Sequence, residues 1–179
     1  MSRGVVLWPD AATSAAVRDI WEHLAAMGLP SLATYTHRLH QPHVSLTVAE
    51  HLPPREALDA VAPVPAGRIR LRVESASVFP QGMLFLPCVM NRGLLDEQER
   101  VHKAVERLAV EPWPYFEPEN WVPHMTIGMP YTPEQLARAL PEVLDRLPME
   151  GTLDHGGVED GTTGENWPSP SGGPATPER

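Results

Sequence analysis

The chain has 179 residues, 42% of them hydrophobic, and a formal net charge of −9 at pH 7. This length suits one well-buried domain or two small, closely packed lobes, and the acidic balance argues against a general polyanion-binding protein. The sequence lacks both a stretch of roughly 20 apolar residues that would span a membrane and the features of a signal peptide. We therefore expect a cytoplasmic protein with no membrane association.

The spacing of apolar residues predicts alternating strands and helices. Proline and glycine mark most of the boundaries, and Thr13 or Ser14 is expected to cap the first helix. In chain order the predicted elements are strand 4–8, a helix that Gly28 ends, strand 43–48, short helix 55–61, strands 68–79 and 83–89, helix 94–108, strand 121–129 and helix 133–147, with 111–119 a loop rich in proline and aromatic residues.

The order of these elements indicates two related halves, each with a strand and a helix ahead of a second strand. We predict one bilobal domain over residues 1–160 and a flexible acidic tail over 161–179, where glycine, proline and serine dominate. Residues 152–158 are polar and glycine-rich, so they predict at most a weak edge strand.

A short motif occurs at the start of one strand in each half. Pro42 precedes His43-Val44-Ser45, and Pro123 precedes His124-Met125-Thr126, 81 residues later. Side chains alternate across a strand, so the histidine and the hydroxyl residue of each motif share a face. Two imidazoles and two hydroxyls suit the binding of a phosphodiester and proton transfer on both sides of it.

A purely structural interpretation is that both histidines are ordinary strand residues with satisfied hydrogen bonds. Chance alone supplies roughly one His-x-Ser/Thr tripeptide in a chain of this composition, so the tripeptide by itself is a weak signal. The shared proline, the aliphatic strands and the matched positions in the two halves favour a functional pair.

The two motifs and the order of elements over residues 3–148 resemble the 2H phosphoesterase superfamily, in particular its bacterial branch of 2′-5′ RNA ligases, or RNA 2′,3′-cyclic phosphodiesterases. The resemblance implies an α+β fold of two pseudo-symmetric lobes, each an antiparallel sheet with outer helices, facing a central cleft. It also implies that His43 is the acid, His124 the base, and Ser45 and Thr126 the phosphate ligands, with no metal or cofactor. The chain departs from the pattern at Ser45, where many relatives have threonine, and in its polar last strand.

The activity so implied is hydrolysis of 2′,3′-cyclic phosphate ends of RNA or of small cyclic nucleotides, with reversible 2′-5′ ligation as a related reaction. We expect a monomer with no obligate protein partner. One alternative is a non-catalytic module that binds nucleotides or RNA ends on the same fold. Another is a zinc-dependent hydrolase built on His37, His40 and His43, three imidazoles within seven residues.

Other side chains could contact an RNA substrate. Arg68, Arg70 and Arg72 share one strand face and could guide an RNA backbone, although a solvated face explains the pattern as well. Tyr35 and Tyr131 flank the motifs and could stack on a base, with Tyr131 favoured because it follows the second motif's strand. Packing against the core is the alternative for both tyrosines.

Overall fold

The computed structural model describes residues 2–170, which form nine strands, four α-helices and one turn of 3-10 helix at Pro114–Phe116. The helices are α1 (Ala11–Ala26), α2 (Pro54–Val61), α3 (Arg92–Val105) and α4 (Pro133–Leu144). The strands are β1 (Arg3–Pro9), β2 (Val44–His51), β3 (Ile69–Val73), β4 (Ser77–Phe79), β5 (Met83–Pro87), β6 (Val110–Pro112), β7 (His124–Gly128), β8 (Met149–Asp160) and β9 (Asn166–Pro168).

Capping side chains set where the helices begin. Asp10 caps α1, since its carboxylate accepts a hydrogen bond from the Thr13 amide at 2.9 Å, so the predicted cap at Thr13 or Ser14 is wrong. α4 begins at Pro133, as predicted, and Thr132 is its cap. Gln135 completes a capping box there, because its side chain accepts a hydrogen bond from the Thr132 amide.

The strands form two antiparallel sheets. One has the order β3-β8-β1-β2-β6, with β9 also paired to β8, and the other has the order β4-β5-β7. A single bridge between Val73 and Cys88 links them. The predicted α+β class, with antiparallel sheets and outer helices, is confirmed. The sheets are unequal in size, and each contributes one motif strand: β2 to the larger and β7 to the smaller.

The segment expected to be a weak edge strand is instead the interior strand β8. It pairs with β1 on one side and with β3 on the other, and Leu153 and Val158 are fully buried. Its glycines allow the neighbouring backbone to come close: a Cβ atom on Gly156 would lie 2.3 Å from the carbonyl oxygen of Val6. Small residues therefore replace the aliphatic pattern by which interior strands are usually predicted.

The chain continues in regular structure beyond the predicted domain boundary at residue 160. β9 pairs with β8 through Gly157 and Pro168 and their neighbours, so a flexible tail does not begin at 161. Residues 171–179 of that predicted tail lie outside the described residues. Among residues 2–170, no helix has both the length and the apolar character needed to cross a membrane.

Candidate functional site

A cleft of about 650 Å³ is lined by residues of both sheets. Its walls include His43 and Ser45 at the start of β2 and His124 and Thr126 on β7. The structure therefore brings together the four motif residues, although the two motifs are 81 positions apart in the sequence.

Both imidazoles are held by the same local geometry. The Nδ1 atom of His43 lies 2.8 Å from the carbonyl oxygen of Gln41, and that of His124 lies 2.7 Å from the carbonyl oxygen of Val122. A carbonyl oxygen only accepts hydrogen bonds, so each Nδ1 carries the hydrogen and each Nε2 is left for a substrate or water. Pro42 and Pro123 lie between these carbonyl groups and the histidines. The fixed φ angle of proline restricts the orientation of the carbonyl group that precedes it. This geometry accounts for the proline in both motifs.

The environment of His124 is apolar. The rings of Phe79 and Phe85 stack on each other, and the centroid of each lies 5.2 Å from that of His124. Burial lowers the pKa of His124 from its usual 6.5, and a positive charge on His43 acts in the same direction. His124 is therefore suited to be neutral and to accept a proton near pH 7.

A carboxylate lies beside His43. The Oε2 atom of Glu159, on β8, is 3.3 Å from His43 Nδ1. The Glu159 side chain is only 4% exposed, and this oxygen has no hydrogen-bond partner among the described residues. A carboxylate lies beside His43 and two phenyl rings lie beside His124, so the two histidines have electrostatically different surroundings. The sequence pattern gave no reason to select Glu159, because the segment around it was expected to be a weak edge strand.

Two tryptophans hold the backbone at the motif hydroxyl residues. The indole N–H of Trp121 donates to the carbonyl oxygen of Ser45 at 2.9 Å, and that of Trp21 donates to the carbonyl oxygen of Thr126 at 3.1 Å. Trp121 precedes β7 yet contacts β2, so it ties one sheet to the other. These partners are 76 and 105 residues apart, and no local signal in the sequence pairs them.

Tyr131 does not contribute to the cleft. Its side chain is buried, its hydroxyl donates a hydrogen bond to the carbonyl oxygen of Pro30, and burial raises its pKa to about 12. It packs in the core, so the predicted stacking role of Tyr131 is wrong.

The predicted arginine ladder also lies away from the cleft. β3 is the edge strand of the larger sheet, and β8 and β1 separate it from β2. The exposed arginines on and next to β3 face acidic side chains of β8: Arg68 lies 3.8 Å from Asp154, Arg70 3.2 Å from Glu150 and Arg72 3.7 Å from Glu150. The predicted contact with an RNA backbone at the site is not supported.

Aromatic side chains surround the cleft, and most of them were not predicted to be functional. Tyr35, which could stack on a base, lines it, and Trp113, Tyr115 and Phe116 line it from the loop that follows β6. β6 pairs with β2, which brings this loop beside the first motif. The density of aromatic residues at 111–119 was the signal available in the sequence.

The three clustered histidines do not form a metal centre. The rings of His37 and His40 pack at 4.2 Å, His37 Nδ1 accepts from the Leu39 amide, and Thr36 Oγ1 lies 2.9 Å from His40 Nε2. Burial and the neighbouring His37 and His43 lower the pKa of His40 to about 4. Among residues 2–170, no group of three or more His, Cys, Asp or Glu side chains is placed to hold a metal ion.

Two antiparallel sheets that bring paired His-x-Ser/Thr strands to one cleft define a 2H phosphoesterase fold. The model of the 2′-5′ RNA ligase superfamily matches residues 9–159, and the chain belongs to that superfamily. A comparison with curated protein sequences finds no match.

Solved structures of the same fold cover nearly the whole chain. TT0787 of Thermus thermophilus has a TM-score of 0.60 at 17% identity, over 94% of this chain and 98% of that one. E. coli LigT complexed with 3′-AMP has a TM-score of 0.54 at 12% identity, over 94% and 95%. Usb1 of Kluyveromyces marxianus with uridine monophosphate has a TM-score of 0.53 at 10% identity, over 94% and 98%. At these identities the likeness shows the fold.

Proposed function

We propose that this protein is a metal-independent phosphodiesterase that hydrolyses 2′,3′-cyclic phosphates by acid and base catalysis with two histidines. The observation that carries the proposal is the pair of imidazoles in one cleft, each held through Nδ1 and each accompanied by a hydroxyl residue. Nucleotides bound to similar structures, 3′-AMP in LigT and uridine monophosphate in Usb1, support a nucleotide as the ligand.

In the proposed reaction His124 Nε2 takes a proton from water as the water oxygen attacks phosphorus. The bond between phosphorus and one ribose oxygen breaks, and His43 Nε2 gives its proton to that oxygen, which leaves a phosphate monoester and a free hydroxyl. The Ser45 and Thr126 hydroxyls donate hydrogen bonds to the nonbridging oxygens, where charge increases in the transition state. In ligation an RNA 5′-hydroxyl takes the place of the attacking water: its oxygen bonds to phosphorus, the bond to the ribose oxygen breaks, and the two histidines keep their roles. The reverse step, cleavage of the ligated diester back to the cyclic phosphate, exchanges the two roles.

The test is an incubation of the protein with a 2′,3′-cyclic mononucleotide in the presence of EDTA, followed by identification of the product isomer by ³¹P NMR. We expect turnover that neither EDTA nor added zinc changes. Loss of turnover in EDTA that zinc restores would favour a zinc-dependent hydrolase. Tight binding without turnover would instead favour a non-catalytic binding module.

The value of kcat/KM should follow a bell-shaped dependence on pH with its acidic limb below pH 6.5. Because burial lowers the pKa of His124 from 6.5, its neutral form persists below that pH and is lost only as the pH falls through the lowered pKa. Initial rates at constant ionic strength measure this limb, and an acidic limb centred above pH 6.5 would contradict the assigned base.

A further inference from the structure

The described residues that line the cleft supply no fixed positive charge. Among the described residues that line it there is neither lysine nor arginine, and its basic groups are the imidazoles of His40, His43 and His124. His40 has a pKa lowered to about 4, so it is neutral at pH 7. Attraction of a phosphate to this cleft therefore depends on the proton of the catalytic pair.

A negative charge lies within the same cleft. Glu159 lines the wall, is almost fully buried, and has an oxygen with no hydrogen-bond partner among the described residues. Its carboxylate is close enough to His43 to balance one positive charge on that ring. For each phosphate beyond the first, the described lining residues provide no further positive charge, and the Glu159 carboxylate repels it.

Arginines on and next to the larger sheet face acidic side chains. Arg3, on β1, contacts Asp160 at 2.9 Å, and Arg68, Arg70 and Arg72, on and next to β3, face Glu150 and Asp154 at the far edge of the sheet. The whole chain carries a net charge of −9. A protein that binds an RNA backbone gains affinity mainly by neutralising phosphates with lysine and arginine, and these four arginines, which face carboxylates, do not provide such a path.

Much of the remaining cleft lining is aromatic. Tyr35, Trp113, Tyr115 and Phe116 line it, and the Trp113 indole is held by the carboxylate of Glu50 at 2.9 Å. Aromatic side chains stack on a nucleobase without requiring charge. A volume of about 650 Å³ is within the range of small-molecule sites and suits one nucleotide.

We propose that the substrate is a small cyclic phosphodiester of a single nucleoside, with one negative charge, and that an RNA chain ending in a cyclic phosphate is a poor substrate. This inference rests on the proposed function, because it concerns the substrate class of the same site. The nucleobase contacts the aromatic side chains, and the cyclic phosphate lies between the two imidazoles. The negative charges of additional phosphates are not neutralised by the described lining residues.

The experiment compares kcat/KM for 2′,3′-cyclic AMP with that for a pentanucleotide whose 3′-terminal adenosine carries the cyclic phosphate. We expect the mononucleotide to be favoured at least about 10-fold, with less than about a twofold change between roughly 50 and 200 mM KCl. A site that contacts three backbone phosphates would lose about 20-fold over this range. Preference for the pentanucleotide with a steep salt dependence would overturn the inference.

Binding of the same two ligands separates this inference from the proposed function. If neither ligand is turned over, the proposed function fails, while their dissociation constants still decide the substrate class. Tighter and salt-insensitive binding of 2′,3′-cyclic AMP supports the inference, and tighter binding of the pentanucleotide overturns it.

A substitution tests the role of the buried carboxylate. Glu159→Gln removes the negative charge with little change in shape and should shift the ratio of the two kcat/KM values toward the pentanucleotide by about threefold or more. Both substrates break the same bond, so any effect on His43 itself cancels in the ratio. Glu165→Gln, a charge removal at an exposed position outside the cleft lining, is the matched control and should leave the ratio unchanged. An unchanged ratio with Glu159→Gln would contradict the inference.

Discussion

Replacing His124 by asparagine is expected to lower kcat for a 2′,3′-cyclic mononucleotide about 10³-fold, and His43→Asn should have an effect of similar size. Each substitution removes the Nε2 atom that would carry the transferred proton. The double variant should be little worse than either single variant, because the acid and the base act in one step. Single-turnover and steady-state rates on 2′,3′-cyclic AMP measure these losses.

Asparagine is chosen because it separates catalysis from structure. Its side-chain N–H occupies roughly the place of Nδ1, so it retains a donor for the carbonyl oxygen of Gln41 or Val122. Thermal unfolding of both variants should therefore stay close to that of the unmodified protein. His51→Asn, an exposed histidine outside the cleft lining, is the control for a histidine loss elsewhere. Full activity in either cleft variant would refute the proposed function.

The pH dependence of the residual activity in the two variants shows which histidine is the base and which is the acid. If His124 is the base, His124→Asn removes the acidic limb of the pH profile and leaves the alkaline one. His43→Asn should then remove the alkaline limb, which reports the proton of the acid. The apolar surroundings of His124 and the Glu159 carboxylate beside His43 agree with this direction, and the opposite assignment predicts that the limbs are exchanged.

The motif residues could be predicted from the sequence because their signal is local. A proline, a histidine and a hydroxyl residue within four positions determine a strand start, a shared face and the partner of Nδ1. The alternation of Arg68 to Arg72 likewise predicted an exposed strand face correctly. Local patterns do not show which side chains contact that face. Here Arg70 contacts Glu150, which is 80 residues away in the sequence.

Tyr131 illustrates the limit of arguing from proximity in sequence. It follows the second motif's strand, but β7 ends at Gly128 and the chain then turns so that the tyrosine packs in the core. Its hydroxyl contacts Pro30, 101 positions earlier, and that pairing depends on how α1 and β7 meet. The aromatic wall of the cleft has a similar origin, since it depends on the pairing of β6 with β2. Side-chain roles that depend on long-range packing were the ones that sequence patterns missed.

The second substitution with a large expected effect lies in β8 and changes stability instead of activity. Gly156→Ala is expected to lower the free energy of unfolding by about 3 kcal/mol, or roughly 6–12 °C in Tm. The added Cβ would lie 2.3 Å from the carbonyl oxygen of Val6, 3.1 Å from Val64 Cγ1 and 3.2 Å from Leu7 Cδ2. Urea unfolding measures the change through the midpoint at constant m. Gly67→Ala, where nothing lies within 4 Å of the new atom, is the control.

The cost at Gly156 is steric and not conformational. The described glycines with positive φ are Gly28, Gly82 and Gly164, so the backbone of Gly156 is one that alanine adopts without strain. The new methyl group must therefore push β8 away from β1, the strand that lies between β8 and the first motif strand. Glu159 follows three residues later on β8, so the same displacement would move its carboxylate relative to His43. A Gly156→Ala protein as stable as the unmodified one would contradict the close approach of these strands, by which β8 brings Glu159 to the cleft.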